Sequence, residues 1–191
     1  MIIYLVRKQK NRIYKSEDIV FAISGKKLSH GEKGEPHVEG AYISITDTLR
    51  YWACAFSDRR VGIDMEELSR AVSPAVVKKL HPSEREYLAP LSSGSSEWRE
   101  EFLSIWTKKE SYAKYTGKGL SLGFSSFCVI EGWQESLETP LFSLKYKELM
   151  IGATEPIEVK IQKYDAPMNK TALEAGADIL DIRGYSAGIL R

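Results

Sequence analysis

Two carboxylates one residue apart close a short apolar run in Val61-Gly62-Ile63-Asp64-Met65-Glu66-Glu67. On a β-strand, side chains alternate between faces, so Asp64 and Glu66 share one face with Gly62, while Val61, Ile63 and Met65 share the other. The second set reads as core and the first as a polar site. Acids at strand ends are common and often do nothing. They also suit a hard divalent cation, which takes carboxylate oxygens and phosphate together. That use needs a third acid elsewhere, with cations beside it. The segment Trp106-Thr107-Lys108-Lys109-Glu110-Ser111-Tyr112-Ala113-Lys114 supplies both. Glu110 and Lys114 are four apart and lie one turn from each other on one helix face, with Lys109 on a flanking face. Taken alone, this is a surface Glu–Lys pair worth about 0.3 kcal/mol. Neither fragment is specific by itself; their order and separation carry the weight.

The elements that must hold these residues are readable in outline. The runs MIIYLV, AYISIT and YWACAF read as strands, and RVGIDME as another. DIVFAI reads as a further short strand, and residues 24–40, rich in Gly, Lys, Glu and His, as an exposed loop. SPAVVKKL and HPSEREYL each open with helix-start residues. LSSGSSEW is the most linker-like stretch. Glu97 to Tyr115 reads as one long helix, with Phe102, Ile105, Trp106, Tyr112 and Ala113 in its apolar stripe and Gly117 suited to end it. SFCVIE, LFSLKY, IEVKIQ and YSAGIL read as strands, and TALEAGADIL fits either a helical turn or a loop. Trp106 reads as core support.

The 191 residues are 43% hydrophobic and 28% charged, with a formal net charge of +1. That is long enough for a sizeable core, in one domain or two halves sharing it. The balanced charge argues against non-specific nucleic-acid binding. Residues 1–36 hold eight Lys/Arg against four Asp/Glu, which reads as a solvated face or as a rim facing phosphate. Cys54 and Cys128 sit far apart in apolar settings and read as buried free thiols, which fits a reducing cytoplasm. His30, His37 and His81 cluster with neither cysteine, so a zinc site of the usual spacing is not expected. The N-terminal run is too short and too soon charged for a signal peptide, and no apolar run approaches a membrane span.

Gly62-Ile63-Asp64-Met65-Glu66, followed by Trp106 to Lys114 and then Gly117-Lys118-Gly119-Leu120, resembles the two marks of the 4′-phosphopantetheinyl transferase superfamily, G-[IV]-D-[IV]-E and W-[ST]-x-K-E-[SA]-x-x-K. The likeness is to the larger, two-halved Sfp-type members rather than the trimeric holo-carrier-protein synthases. It covers roughly residues 18–130 and the final G-Y strand. The resemblance implies an α+β fold: a pseudo-twofold pair of small antiparallel sheets, each packed against a long helix. Residues 1–93 would be the N-terminal half with the D-x-E strand and 94–191 the C-terminal half with the K-E-x-x-x-K helix, in one globular unit. Two halves in one chain imply a monomer, with the cleft between them near LSSGSSEW. The implied activity is Mg²⁺-dependent transfer of the phosphopantetheine arm of coenzyme A to a serine of an acyl or peptidyl carrier protein, in the cytoplasm. By motif match, Asp64, Glu66 and Glu110 are the metal ligands, Glu110 the general base, and Lys114 a phosphate contact. Lys109 is a second phosphate contact.

The chain departs from the pattern upstream. Where the family has F-N-[IVL]-S-H-[ST], this sequence has Ile43-Ser44-Ile45-Thr46-Asp47-Thr48, so an acid replaces a histidine that contacts the nucleotide. Thr46 and Thr48 remain as hydroxyl donors to phosphate. The G-K-P loop is Gly34-Glu35-Pro36, and the basic N-terminal segment is short, with Arg7, Lys8, Lys10 and Arg12 or Lys26 and Lys27 as substitutes. These losses fall on nucleotide recognition. They leave two alternatives open: a non-catalytic homologue that binds carrier protein or nucleotide, and another Mg²⁺ phosphotransfer enzyme with a different pyrophosphate donor. If coenzyme A is the donor, a cation should stand near Asp47.

Overall fold

The computed structural model describes residues 1–32, 34–130 and 137–167. TALEAGADIL and the closing YSAGIL lie outside the described residues. The fold is the α+β arrangement expected, two small sheets each carrying a helix on its outer face. The first sheet has the order β4-β5-β1-β9, from β4 (Tyr42–Asp47), β5 (Tyr51–Ser57), β1 (Ile2–Arg7) and β9 (Glu158–Ile161). Its pairings are antiparallel except β1 with β9, which is parallel. The second has the order β6-β8-β7, all antiparallel, from β6 (Ile63–Glu67), β8 (Leu149–Ala153) and β7 (Phe142–Tyr146). A two-stranded hairpin, β2 (Ser29–His30) with β3 (Pro36–His37), lies within the segment expected to be loop.

Alternation along the strands builds the layers. Ile3, Leu5, Tyr51, Ala53 and Ala55 of the first sheet meet Ile63, Met65, Leu149 and Ile151 of the second in one core. The outer face of the first sheet, with Val6, Ile43, Trp52 and Cys54, takes Ile19 and Val20 of helix α1 (Ser16–Ser24). The 21-residue helix α4 (Ser96–Thr116) lies on the outer face of the second sheet. The β6 strand, before residue 93, belongs to the sheet of β7 and β8, and β9 joins the sheet of β1. Each sheet thus borrows a strand from the far side of the Ser93–Gly94 segment.

DIVFAI is helical rather than extended. Glu17 and Asp18 stand in the first turn of α1, where they complement the helix dipole, and Gly25 ends it at φ 69°. SPAVVKKL gives only the short α2 (Pro74–Val77), and HPSEREYL gives α3 (Pro82–Leu88). The described part of SFCVIE forms no strand: a 3₁₀ turn covers Phe124–Ser126, and the Val129 N–H donates to Glu84 at 2.9 Å instead of to a ladder. The central strand β8 escapes a sequence reading because the two-residue turn before it is Lys147-Glu148, with Lys147 at φ 53°, where Asn-Gly would have flagged a hairpin. Both cysteines are buried free thiols, and burial pushes the Cys54 thiol up.

Candidate active site

The acids of β6 lie on the face beneath α4, and two glycines let the helix come down onto it. A Cβ on Gly62 would stand 1.9 Å from the Ser111 carbonyl oxygen, and one on Gly152 would stand 2.3 Å from the Thr107 carbonyl carbon. Gly152 is also the β8 partner of Asp64. Backbone contact between helix and sheet is possible only without side chains at those positions. It fixes the height of Trp106, Glu110 and Lys114, which follow one another at four-residue spacing along the cleft side of α4.

Those three residues line a cleft of about 370 Å³ with Asp64 and Glu66 of β6, Ile45, Thr46 and Asp47 of β4, and Arg70 from the turn after β6. The cleft thus lies between the edge strand of the first sheet and the helix-covered face of the second. It sits beside the middle and end of α4. Leu91, Ser93 and Trp98 of LSSGSSEW line a separate hollow at the other end of that helix, not this cleft.

Asp64 is buried. Its Oδ1 accepts from Lys114 Nζ at 2.8 Å and from Thr46 Oγ1 at 3.1 Å, while its Oδ2 is buried with no hydrogen-bond partner among the described residues. Lys114 also donates to the Ile45 carbonyl at 3.2 Å. Glu66 is ion-paired with Arg70, whose guanidinium lies 5.6 Å from the centre of the Trp106 ring. Burial first, and then the Asp64 charge, push the Glu110 carboxyl above its usual range, against the pull of Lys114, Arg70 and Lys79. The three acids share the cleft, yet no three His, Cys, Asp or Glu side chains among the described residues are drawn into a ready-made metal cluster. Each β6 acid is turned instead to a cation, Asp64 to Lys114 and Glu66 to Arg70. The buried, unpartnered Oδ2 and the all-carboxylate donor set fit Mg²⁺, which prefers a few hard oxygens and keeps waters and phosphates for the rest.

Two sequence expectations fall outside the cleft. Lys109 is fully buried on the opposite flank of α4. Its ammonium pairs with the buried Glu84 at 2.9 Å, donates to the Phe124 carbonyl at 2.7 Å and to that of Phe127, and stands 4.1 Å from the centre of the Phe127 ring. Burial lowers its pKa more than Glu84 raises it. A lysine so enclosed does not reach a phosphate in the cleft. Thr48 is likewise engaged: its hydroxyl donates to Glu67 at 2.9 Å and accepts from the Tyr51 N–H at 3.1 Å. Thr46 does line the cleft. Arg70, outside both motifs, joins the cleft lining, and its place four residues after Glu66 is the sequence signal for it. The cation sought near Asp47 is present as Lys8, which pairs with that carboxylate and donates to the Thr48 carbonyl at 2.7 Å. Arg12 and Lys26 are turned elsewhere, to the Ala166 and Glu39 carbonyls.

The family model of the 4′-phosphopantetheinyl transferase superfamily matches residues 60–163, which hold β6, α4 and the second sheet entire. The chain belongs to this superfamily, and to its Sfp-type, two-halved branch. The 4′-phosphopantetheinyl transferase Sfp of Bacillus subtilis (strain 168) is 33% identical over 140 residues, 71% of this chain and 60% of that protein. The 4′-phosphopantetheinyl transferase gsp of Aneurinibacillus migulanus is 32% identical over 99 residues, 51% of this chain and 41% of that one. The psf-1 protein of Bacillus pumilus, of the same name, is 29% identical over 126 residues, covering 65% and 52%. The matched region thus spans about half the length of these curated relatives. No helix among the described residues is long and apolar enough to cross a membrane.

Proposed function

We propose that this chain moves the 4′-phosphopantetheine arm of coenzyme A onto a serine of an acyl or peptidyl carrier protein, as a monomer and with Mg²⁺. The observation that carries this reading is the convergence of Asp64, Glu66, Glu110, Lys114 and Arg70 on one cleft. The names of the curated relatives support it. Asp64, Glu66 and Glu110 would hold the ion, which when bound supplies positive charge to the diphosphate. In the transfer the carrier serine oxygen bonds to the phosphorus that bears pantetheine, and the bond from that phosphorus to the oxygen of the nucleotide phosphate breaks. The leaving group is adenosine 3′,5′-bisphosphate. Glu110 takes the serine proton, a task suited to a carboxylate whose basicity is raised by burial. The Lys114 ammonium, already in the cleft, offsets charge on the phosphate oxygens, because catalysis of such transfers is largely positioning and charge neutralisation. Thr46, on the opposite wall, steadies Asp64 by donating its hydroxyl to Oδ1 at 3.1 Å, and the Lys8–Asp47 pair removes much of the repulsion that an unpaired Asp47 would set against a nucleotide.

The test is a mass measurement. Apo carrier protein, coenzyme A, Mg²⁺ and the chain should give a carrier heavier by one phosphopantetheine, and Glu110→Gln, folded, should lose about two orders of magnitude or more in rate. No mass gain across several carriers with well-folded parent protein overturns the reading. The exposed Asp47 on the cleft rim favours one second reading, a donor diphosphate other than coenzyme A. In that case a different diphosphate would bind in the presence of Mg²⁺ and coenzyme A would not displace it.

A further inference from the structure

Arg70 lines the cleft but belongs to neither motif. The turn after β6 is closed by the Arg70 N–H donating to the Glu67 carbonyl at 2.8 Å, and it folds the side chain back over the site. There the guanidinium meets two surfaces at once, the Glu66 carboxylate and the face of Trp106. The pair is partly open to solvent, with Arg70 33% and Glu66 21% exposed, so it is weak enough to exchange. A divalent ion that takes Glu66 meets Arg70 as a competing cation. The aromatic face gives the guanidinium a seat that does not depend on Glu66, so a displaced Arg70 stays within the cleft with its donors free. Planar guanidinium donors match phosphate oxygens in pairs.

We propose that Arg70 is an exchangeable counter-ion that couples the two ligands of the cleft: it occupies Glu66 until a divalent cation takes that carboxylate, and then turns its donors to the diphosphate. This rests on the function proposed above. The consequence is a sign that a merely structural role would not produce. Removing Arg70 should tighten the cation and loosen the anion, whereas general damage to the site would weaken both.

The experiment is calorimetric titration of the full chain, parent and Arg70→Gln, with Mg²⁺ alone and then with inorganic pyrophosphate at saturating Mg²⁺. We expect Arg70→Gln to bind Mg²⁺ alone about three- to fivefold more tightly, the factor an exposed ion pair is worth. We expect it to bind pyrophosphate about tenfold more weakly, the loss of a charged hydrogen bond. Arg70→Lys keeps the charge without the fork, and should restore the parent Mg²⁺ affinity while recovering only part of the pyrophosphate affinity. Weaker binding of both ligands, or no change in either, overturns the inference while leaving the proposed function standing if the parent binds both. A parent that binds neither ligand removes the proposed function and this inference together.

Discussion

The two oxygens of Asp64 have unlike surroundings. Oδ1 is committed to Lys114 and Thr46, and Oδ2 is buried without a partner. A buried carboxylate oxygen left unpaired is costly, and a divalent cation would relieve that cost. Mg²⁺ in excess should therefore raise the melting temperature of the parent, and at a hundred times Kd the linkage is worth about 2.7 kcal/mol. For a chain of this size that corresponds to a rise of roughly 5–10 °C. Asp64→Asn should melt near the parent without cation and show no rise with it, as read by scanning calorimetry. A variant that responds to Mg²⁺ as the parent does would remove Asp64 from the cation site. Period two put Asp64 beside Glu66 and spacing four put Glu110 beside Lys114, while it was the family resemblance that joined the two pairs; all four line the cleft. That Lys109 and Thr48 lie off it was not legible in the sequence, because the flank of an element that opens onto a cleft depends on what packs against the other flank. For Lys109 that neighbour is Glu84 of α3, twenty-five residues earlier in the chain and adjacent only after folding.

At the scale of the element, the site depends on how closely α4 approaches its sheet. Gly62→Ala or Gly152→Ala would drive a methyl group into helix backbone, which cannot turn aside as a flexible side chain can. Each should cost about 2–4 kcal/mol in urea unfolding and lift Glu110 and Lys114 away from Asp64. An alanine variant as stable as the parent would show that the helix can move outward freely. On the other flank, Lys109 and Glu84 tie α4, α3 and the 124–129 segment together, since Glu84 also accepts from the His81 and Val129 N–H groups at 2.9 Å. Lys109→Met leaves a buried carboxylate without its counter-charge and should cost about 3–5 kcal/mol; adding Glu84→Gln should recover part of that. Equal costs for the single and double variants would mean the charge of Glu84 is not what Lys109 offsets. The same pair explains why SFCVIE, β-rich in composition, forms no strand over its described residues: the Val129 N–H and the Phe127 carbonyl bond to side chains from two helices. The strand β8 was hidden for the converse reason, a turn made of residues that do not announce one.

Across the whole molecule, the two sheets are joined near the end of β6 by a polar latch beside their shared core. Glu67 accepts from Arg50 Nε at 2.7 Å, from the Arg50 N–H at 3.0 Å and from Thr48 at 2.9 Å, all in the β4–β5 turn. Tyr51, at the start of β5, donates to Glu148 in the turn before β8. Most strands were foreseeable from composition and periodicity and the α+β class from the family resemblance, whereas the exchange of β6 and β9 between sheets was not, because strand partners are chosen by long-range packing. The latch predicts how stability responds to pH. Burial works to raise the Glu67 pKa, but the bonds from Arg50 and Thr48 outweigh it and hold the carboxyl below its ordinary value of 4.5. Its contribution is present above that ordinary value and is lost as pH falls through the lowered one. Burial, and then the bond to Glu148, raise Tyr51 from 10.0 to about 12. Its contribution is therefore complete below pH 10.0 and is lost as pH climbs towards about 12. Tempered by nearby solvent, the alkaline loss should be about 1 kcal/mol. Urea unfolding of the parent should weaken across that window, while Tyr51→Phe should start less stable and show a flatter alkaline limb. Phenolate absorbance should show one late-titrating tyrosine fewer in the variant than in the parent. If both proteins weaken alike, the tyrosine does not link the sheets in the way its contacts imply.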